Sequence, residues 1–180
     1  LAAVEAFFGA GAERQLDIDA VRAGFASVIV PGRLERVRSA PAVFLDAAHN
    51  PHGAAALADT LQSEFDFRRL VGVISVMADK DVAGILAALE PAFDEIVVTH
   101  NGSPRALGAD QLAELALEIF GEDRVVVAPT LLDAIETATA MVEEAAEDGG
   151  AEGFSGTGIV ITGSVVTAGA ARTLFGKDPE

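Results

Sequence analysis

From residue 34 onward, short apolar runs alternate with longer stretches whose apolar positions recur every three or four residues, a pattern that predicts strands followed by amphipathic helices. Strands are expected at residues 34–38, 43–46, 70–76, 95–99, 124–127 and 158–162, and helices at 53–65, 82–89, 109–120, 131–146 and 168–175. Val71, Val73, Ile74 and Val76 in one strand, and Ile159, Val160 and Ile161 in another, form almost unbroken apolar runs, as strands covered on both faces require. The 34–38 segment reads as an edge strand returning through Ala40 and Pro41, and the turns at 65–67 and 121–123 read as plain surface connections. Regular alternation of this kind predicts an α/β fold, a Rossmann-like, mostly parallel sheet with helices on both faces.

The N-terminal stretch follows another pattern. Val4, Phe7 and Phe8 recur at helical spacing, and Asp17 or Asp19 is placed to cap a second segment carrying Val21, Phe25 and Val28. Val30-Pro31-Gly32-Arg33 then interrupts the helical pattern, because proline removes a backbone donor and glycine permits positive φ. The expected organisation is a helical tail over 1–30, a linker and edge strand over 31–41, and the α/β domain over 42–180, with a solvated acidic, glycine-rich loop at 147–158.

Composition narrows the function classes. With 51% hydrophobic and 22% charged residues, the chain has a globular balance that excludes wholesale disorder. A formal net charge of −16 repels phosphate backbones and anionic lipid, so neither nucleic acid nor a membrane is expected as a partner. The lack of cysteine excludes disulfides, thiolate metal sites and a cysteine nucleophile, and fits a reducing, cytoplasmic setting. A monomer is expected, and the start at Leu1 in place of methionine suggests a processed product or an internal fragment.

In an open parallel sheet, ligands bind beyond the carboxyl ends of the strands. Here those ends carry Asp46-Ala47-Ala48-His49-Asn50, Asp79-Lys80-Asp81, His100-Asn101-Gly102-Ser103-Pro104-Arg105 and Thr162-Gly163-Ser164. Each element also has a structural reading. Asp46 is placed to satisfy a loop amide, Asp79 and Asp81 suit a helix N-terminus, and Gly163-Ser164 suits a turn. Lys80 is one of only two lysines in the chain, which the helix-start reading does not account for. His49 and His52 lack a third clustered ligand, so no metal is expected here, and no phosphate-cradling loop of P-loop type is present.

Pro31-Gly32-Arg33-Leu34-Glu35 followed by Leu45-Asp46-Ala47-Ala48-His49-Asn50-Pro51 resembles the linker and opening of the C-terminal domain of Mur-type ATP-dependent amide ligases. Residues 77–82 (MADKDV), 103–107 (SPRAL) and 161–172 (ITGSVVTAGAAR) are similar to the folate branch of that superfamily, the folylpolyglutamate and dihydrofolate synthases. The resemblance implies ATP and Mg²⁺ as cofactors, with dihydropteroate or folate and L-glutamate as substrates joined through an acyl phosphate. It also implies that Arg33 and Asp46 serve ATP, and that His49 and Ser164 hold the glutamate, the Ser164 hydroxyl donating to its carboxylate. Asn50, Asp79, Lys80, Asp81, Ser103 and Arg105 fall in motif loops with no assigned role. Arg33, His49, Lys80 and Arg105 are expected to converge on one locally positive cleft. No catalytic residue is assigned within these 180 residues, and without a P-loop the chain alone is expected to be inactive. The sequence leaves two alternatives open: a Mur-type ligase with another acceptor, and a stand-alone flavodoxin-like binding module.

Overall fold

The structure is a computed structural model that describes residues 17–28, 30–148 and 156–177. The helix expected around Val4, Phe7 and Phe8, and most of the loop expected at 147–158, lie outside the described residues. The chain divides into two compact units, Leu1–Val30 and Pro31–Glu180.

The first unit contributes helix α1 (Ile18–Ser27), capped by Asp17, whose carboxylate accepts from the amides of Asp19 and Ala20 at 2.9 and 3.1 Å. None of its residues is buried, and Phe25 is 66% exposed.

The second unit runs β1 (Glu35–Ser39), β2 (Ala42–Leu45), α2 (Pro51–Glu64), β3 (Arg69–Ile74), α3 (Val82–Leu89), β4 (Glu95–Val98), α4 (Ala109–Phe120), β5 (Val125–Val127), α5 (Leu131–Asp148), β6 (Thr157–Thr162) and α6 (Val165–Leu174). The strands form one sheet in the order β1-β2-β6-β3-β4-β5; β1 is antiparallel to β2 and every other pairing is parallel.

Side chains alternate strictly between two cores. Phe44, Ile74, Ile96, Val98 and Val160 pack with Leu57 and Leu61 of α2, Ile85, Leu86 and Leu89 of α3, and Leu112 and Phe120 of α4. On the opposite face, Val43, Val71, Val73, Val97, Ile159 and Ile161 meet Leu131, Ala134, Ile135 and Val142 of α5 and Ala171 of α6. Chain direction explains the division. The connections through α2, α3 and α4 each step toward β5, whereas α5 returns from β5 to β6, so right-handed crossovers place it on the other face. As a result the helices leaving β2 and β3 lie on one side of the sheet and the helix leaving β6, between them, lies on the other. This divergence opens a crevice at the carboxyl ends of these three strands.

Most element bounds shift by a residue or two from expectation, and four differences have a specific cause. Helix α2 begins at Pro51, not at 53, because the Asn50 side chain caps it by accepting from the Gly53 amide at 2.8 Å, and proline suits the first helical position. Helix α6 begins at Val165, not at 168, because Ser164 caps it. Arg124 stands in a short 3-10 turn (Glu122–Arg124) and not in β5, its guanidinium donating to the Asp94 carbonyl at 2.8 Å. The 65–67 turn is more than a surface connection, since Phe65 and Phe67 stack with centroids 5.3 Å apart and both meet Phe44 edge-on.

Candidate functional site

The linker residues 31–34 take a conformation that few residues adopt and are pinned in it. Gly32 has φ +65° and Leu34 φ +42°, the latter in the left-handed region that a branched side chain disfavours. Three hydrogen bonds hold them. The Gly32 carbonyl accepts from the Ala47 amide at 2.8 Å, the Leu34 amide donates to Asp46 Oδ2 at 3.0 Å, and the Gly32 amide donates to Glu35 Oε2 at 3.0 Å. Glu35 is fixed in turn by an ion pair between Oε1 and Arg172 of α6. Burial pushes the Glu35 carboxyl up, but the Arg172 hydrogen bond, the Gly32 amide and the charges of Arg172 and Lys177 outweigh it, so the group titrates below its ordinary value.

This pinned linker forms one wall of a cleft of about 440 Å³ lined by Arg33, Asp46, His49, Asn50, His52 and Thr60, among others. Arg33 is exposed and makes no ion pair with any described residue, so its fork of donors is unspent. Asp46 is 8% exposed, and its second oxygen accepts from the Ala48 amide at 2.8 Å. Its carboxylate thereby fastens the linker to the end of β2, while each oxygen retains a lone pair. His49 Nδ1 lies 2.9 Å from the Ala47 carbonyl, which only accepts, so Nδ1 carries the proton and Nε2 is the free ring nitrogen.

Across the crevice, the turn from β6 into α6 is fully packed. Gly163 has φ +108°, and a Cβ there would lie 2.5 Å from the Ser75 carbonyl oxygen, so only glycine lets the β6 and β3 ends close together. Ser164 is 3% exposed and accepts from the Thr167 amide at 2.9 Å. Its hydroxyl also lies 2.7 Å from Thr167 Oγ1 and 3.4 Å from Asn101 Nδ2. The pair is tied to the exits of β3 and β4, because Thr167 Oγ1 donates to the Ser75 carbonyl at 2.8 Å and accepts from Asn101 Nδ2 at 2.9 Å. Asn101 Oδ1 accepts from the Ser103 amide at 3.0 Å, which places Ser103 in the shell of this network.

The third group stands apart. Asp79 bridges Arg105 at 2.9 Å and Lys80 at 3.5 Å, and Asp81 caps α3 by accepting from the Gly84 amide at 2.9 Å. The Arg105 hydrogen bond holds Asp79 below the usual carboxylate range. Contrary to the expected convergence, Lys80 and Arg105 do not line the cleft of Arg33 and His49; the carboxylate of Asp79 gathers both cations to itself. Among the described residues, no group of three or more His, Asp or Glu could hold a metal ion, and no helix is long and apolar enough to cross a membrane.

Asn101 and Thr167 are residues whose roles sequence reasoning missed. The Ser164-to-Thr167 spacing of a helix cap and its third residue was a usable signal for one; the other was marked only by its place in the polar run after β4.

Residues 32–164 match the family described as Mur ligase, glutamate ligase domain. The chain is 71% identical over 182 residues to the dihydrofolate synthase/folylpolyglutamate synthase of Mycobacterium tuberculosis, spanning 100% of this chain but 37% of that protein. The solved structure of M. tuberculosis folylpolyglutamate synthase complexed with ADP superposes with a TM-score of 0.91 at 69% identity, over 99% of this chain and 39% of that one. A bifunctional folylpolyglutamate synthase/dihydrofolate synthase with Mn, AMPPNP and L-glutamate bound superposes with a TM-score of 0.72 at 26% identity, over 91% of this chain and 36% of that one.

Proposed function

The chain belongs to the Mur ligase family through its glutamate ligase domain, and on that premise we propose that it works as the C-terminal domain of an ATP-dependent ligase joining L-glutamate to dihydropteroate or folate. The observation that carries this reading is the arrangement at the crevice, where Arg33, Asp46, His49 and Asn50 share one cleft at the end of β2, next in the sheet to β6, which leads through Gly163 into the cap residue Ser164. The unit Leu1–Val30, which contributes α1, is then the tail of a preceding ATPase domain.

The chemistry runs in two displacements. A substrate carboxylate oxygen attacks the γ-phosphorus of ATP and ADP departs, leaving an acyl phosphate. The glutamate nitrogen then attacks the acyl carbon, inorganic phosphate leaves with the C–O bond electrons, and the nitrogen loses a proton to form the amide. Positioning and charge neutralisation dominate such transfers. Arg33, held at the cleft mouth by the pinned linker, binds nucleotide phosphates bidentately. Asp46 sets the linker and offers its remaining lone pairs to ribose hydroxyls. His49 directs Nε2 at the glutamate side, and Ser164 fixes the turn on the other wall. A divalent cation would neutralise phosphate charge when bound, and the described residues offer no ligand set for it.

The test uses the full-length protein that contains this chain. Labelled glutamate is expected to enter product only with ATP and a pteroate or folate acceptor. Arg33→Ala is expected to raise the KM for ATP by roughly tenfold or more, the loss of a charged hydrogen bond being worth about 1.5–3 kcal/mol. Incorporation with a muropeptide acceptor and not with folates overturns the substrate assignment.

A further inference from the structure

The proton inventory around Ser164 assigns each hydroxyl a direction. The Ser75 carbonyl is only an acceptor, so the single hydroxyl proton of Thr167 is spent on it at 2.8 Å. The Asn101 amide is oriented by its own contacts: its oxygen accepts from the Ser103 amide, so its nitrogen is the end that donates to Thr167 Oγ1 at 2.9 Å. Thr167 Oγ1 therefore acts only as an acceptor toward Ser164, and the 2.7 Å contact between the two hydroxyls has Ser164 as donor. The one proton of Ser164 points inward. Its oxygen is meanwhile occupied by the Thr167 amide at 2.9 Å. All three side chains are at most 9% exposed.

We propose that Asn101 and Thr167 are positioning residues for the glutamate acceptor, and that Ser164 acts through the geometry of the turn it caps and not as a hydrogen-bond donor to substrate. The circuit runs from the exit of β4 through Asn101, across Thr167 and Ser164 at the start of α6, to the Ser75 carbonyl at the exit of β3. It ties the first turn of α6 to the exits of β3 and β4. Loss of any member lets that turn move relative to His49, whereas the hydrogen bonds of the linker to Ala47 and Asp46 at the end of β2 lie outside the circuit and remain to hold Arg33. This inference rests on the ligase reading above and adds to it which residues set the acceptor side.

The test is steady-state kinetics of the full-length protein, with glutamate and ATP varied in turn. The wild-type protein is measured first, and absence of ATP-dependent glutamate incorporation there rejects the ligase reading itself, separately from this one. Given activity, Thr167→Val is expected to raise the KM for glutamate roughly tenfold with the KM for ATP within about twofold, and Thr167→Ser, which restores the hydroxyl, is expected to return it to near wild type. Asn101→Asp, which replaces the donating amide by an acceptor, is expected to give the same split and carries the test if Thr167→Val does not fold. A lowered melting temperature with both KM values unchanged makes the network merely structural and overturns the proposal. So does a rise in glutamate KM for Ser164→Ala alone with neither Thr167→Val nor Asn101→Asp reproducing it, because Ser164 then meets the substrate directly.

Discussion

Glu35 joins the linker to α6 with a single carboxylate, and the energy of that junction depends on its charge. Its pKa is depressed in the folded chain because the hydrogen bonds and charges of Arg172, Gly32 and Lys177 outweigh burial. A depressed carboxylate pKa contributes stability that is present above the unfolded value and is lost as pH falls through the folded one. Denaturant midpoints of the wild type and Glu35→Gln are therefore expected to differ at neutral pH, and the gap is expected to close as pH falls below the ordinary glutamate range. A gap independent of pH would mean that the carboxylate's charge contributes nothing. A second residue is constrained by sterics alone. Gly163→Ala places a Cβ 2.5 Å from the Ser75 carbonyl at φ +108°, which is expected to cost at least about 1–3 kcal/mol and lower the melting temperature.

Helix starts are set by single capping side chains, and here the sequence was only partly legible. Asn50 accepts from the Gly53 amide to start α2 at the residue that follows it. Asn50→Ala is expected to cost about 1 kcal/mol, read as a lowered denaturant midpoint, with the β2 pairing intact. The strands were legible because burial on both faces leaves almost no polar residue in Val71–Ile74 or Ile159–Ile161, a signal that survives without any knowledge of neighbours. The starts of α2 and α6 were misplaced because periodicity begins only where apolar residues do, whereas a helix begins at its cap. The site was legible as a set of strand ends. What escaped was the wiring between them: Asn101 reaches Ser164 and Thr167 over 63 and 66 residues, and Thr167 reaches Ser75 over 92. Separations of that size are fixed by strand order, and the insertion of β6 between β2 and β3 has no local signature.

At the scale of the whole molecule, the boundary between the two units falls in the chain between Val30 and Pro31, and the chain just beyond that point is not a loose tether. Residues 31–34 are held by the Ala47 amide, the Asp46 carboxylate and the Glu35 carboxylate, the last of these anchored on Arg172. A protease needs an extended segment free of such bonds, so the pinned linker is a poor substrate although it lies at the boundary. Proline at position 31 adds to this by fixing φ and removing a donor. The chain ahead of it has no comparable ties among the described residues: Val28 and Val30 are exposed, and α1 buries none of its side chains. Limited proteolysis of the chain is therefore expected to cut first on the N-terminal side of Pro31 and to leave a resistant product beginning close to it, identified by intact mass. Asp46→Ala removes the carboxylate that holds the Leu34 amide, one of the linker's three ties, so in that variant the first cuts are expected to spread toward Arg33 and Leu34. First cleavage of the wild type inside 35–148, or an unchanged pattern in Asp46→Ala, would show that the hydrogen bonds at the linker do not control its accessibility.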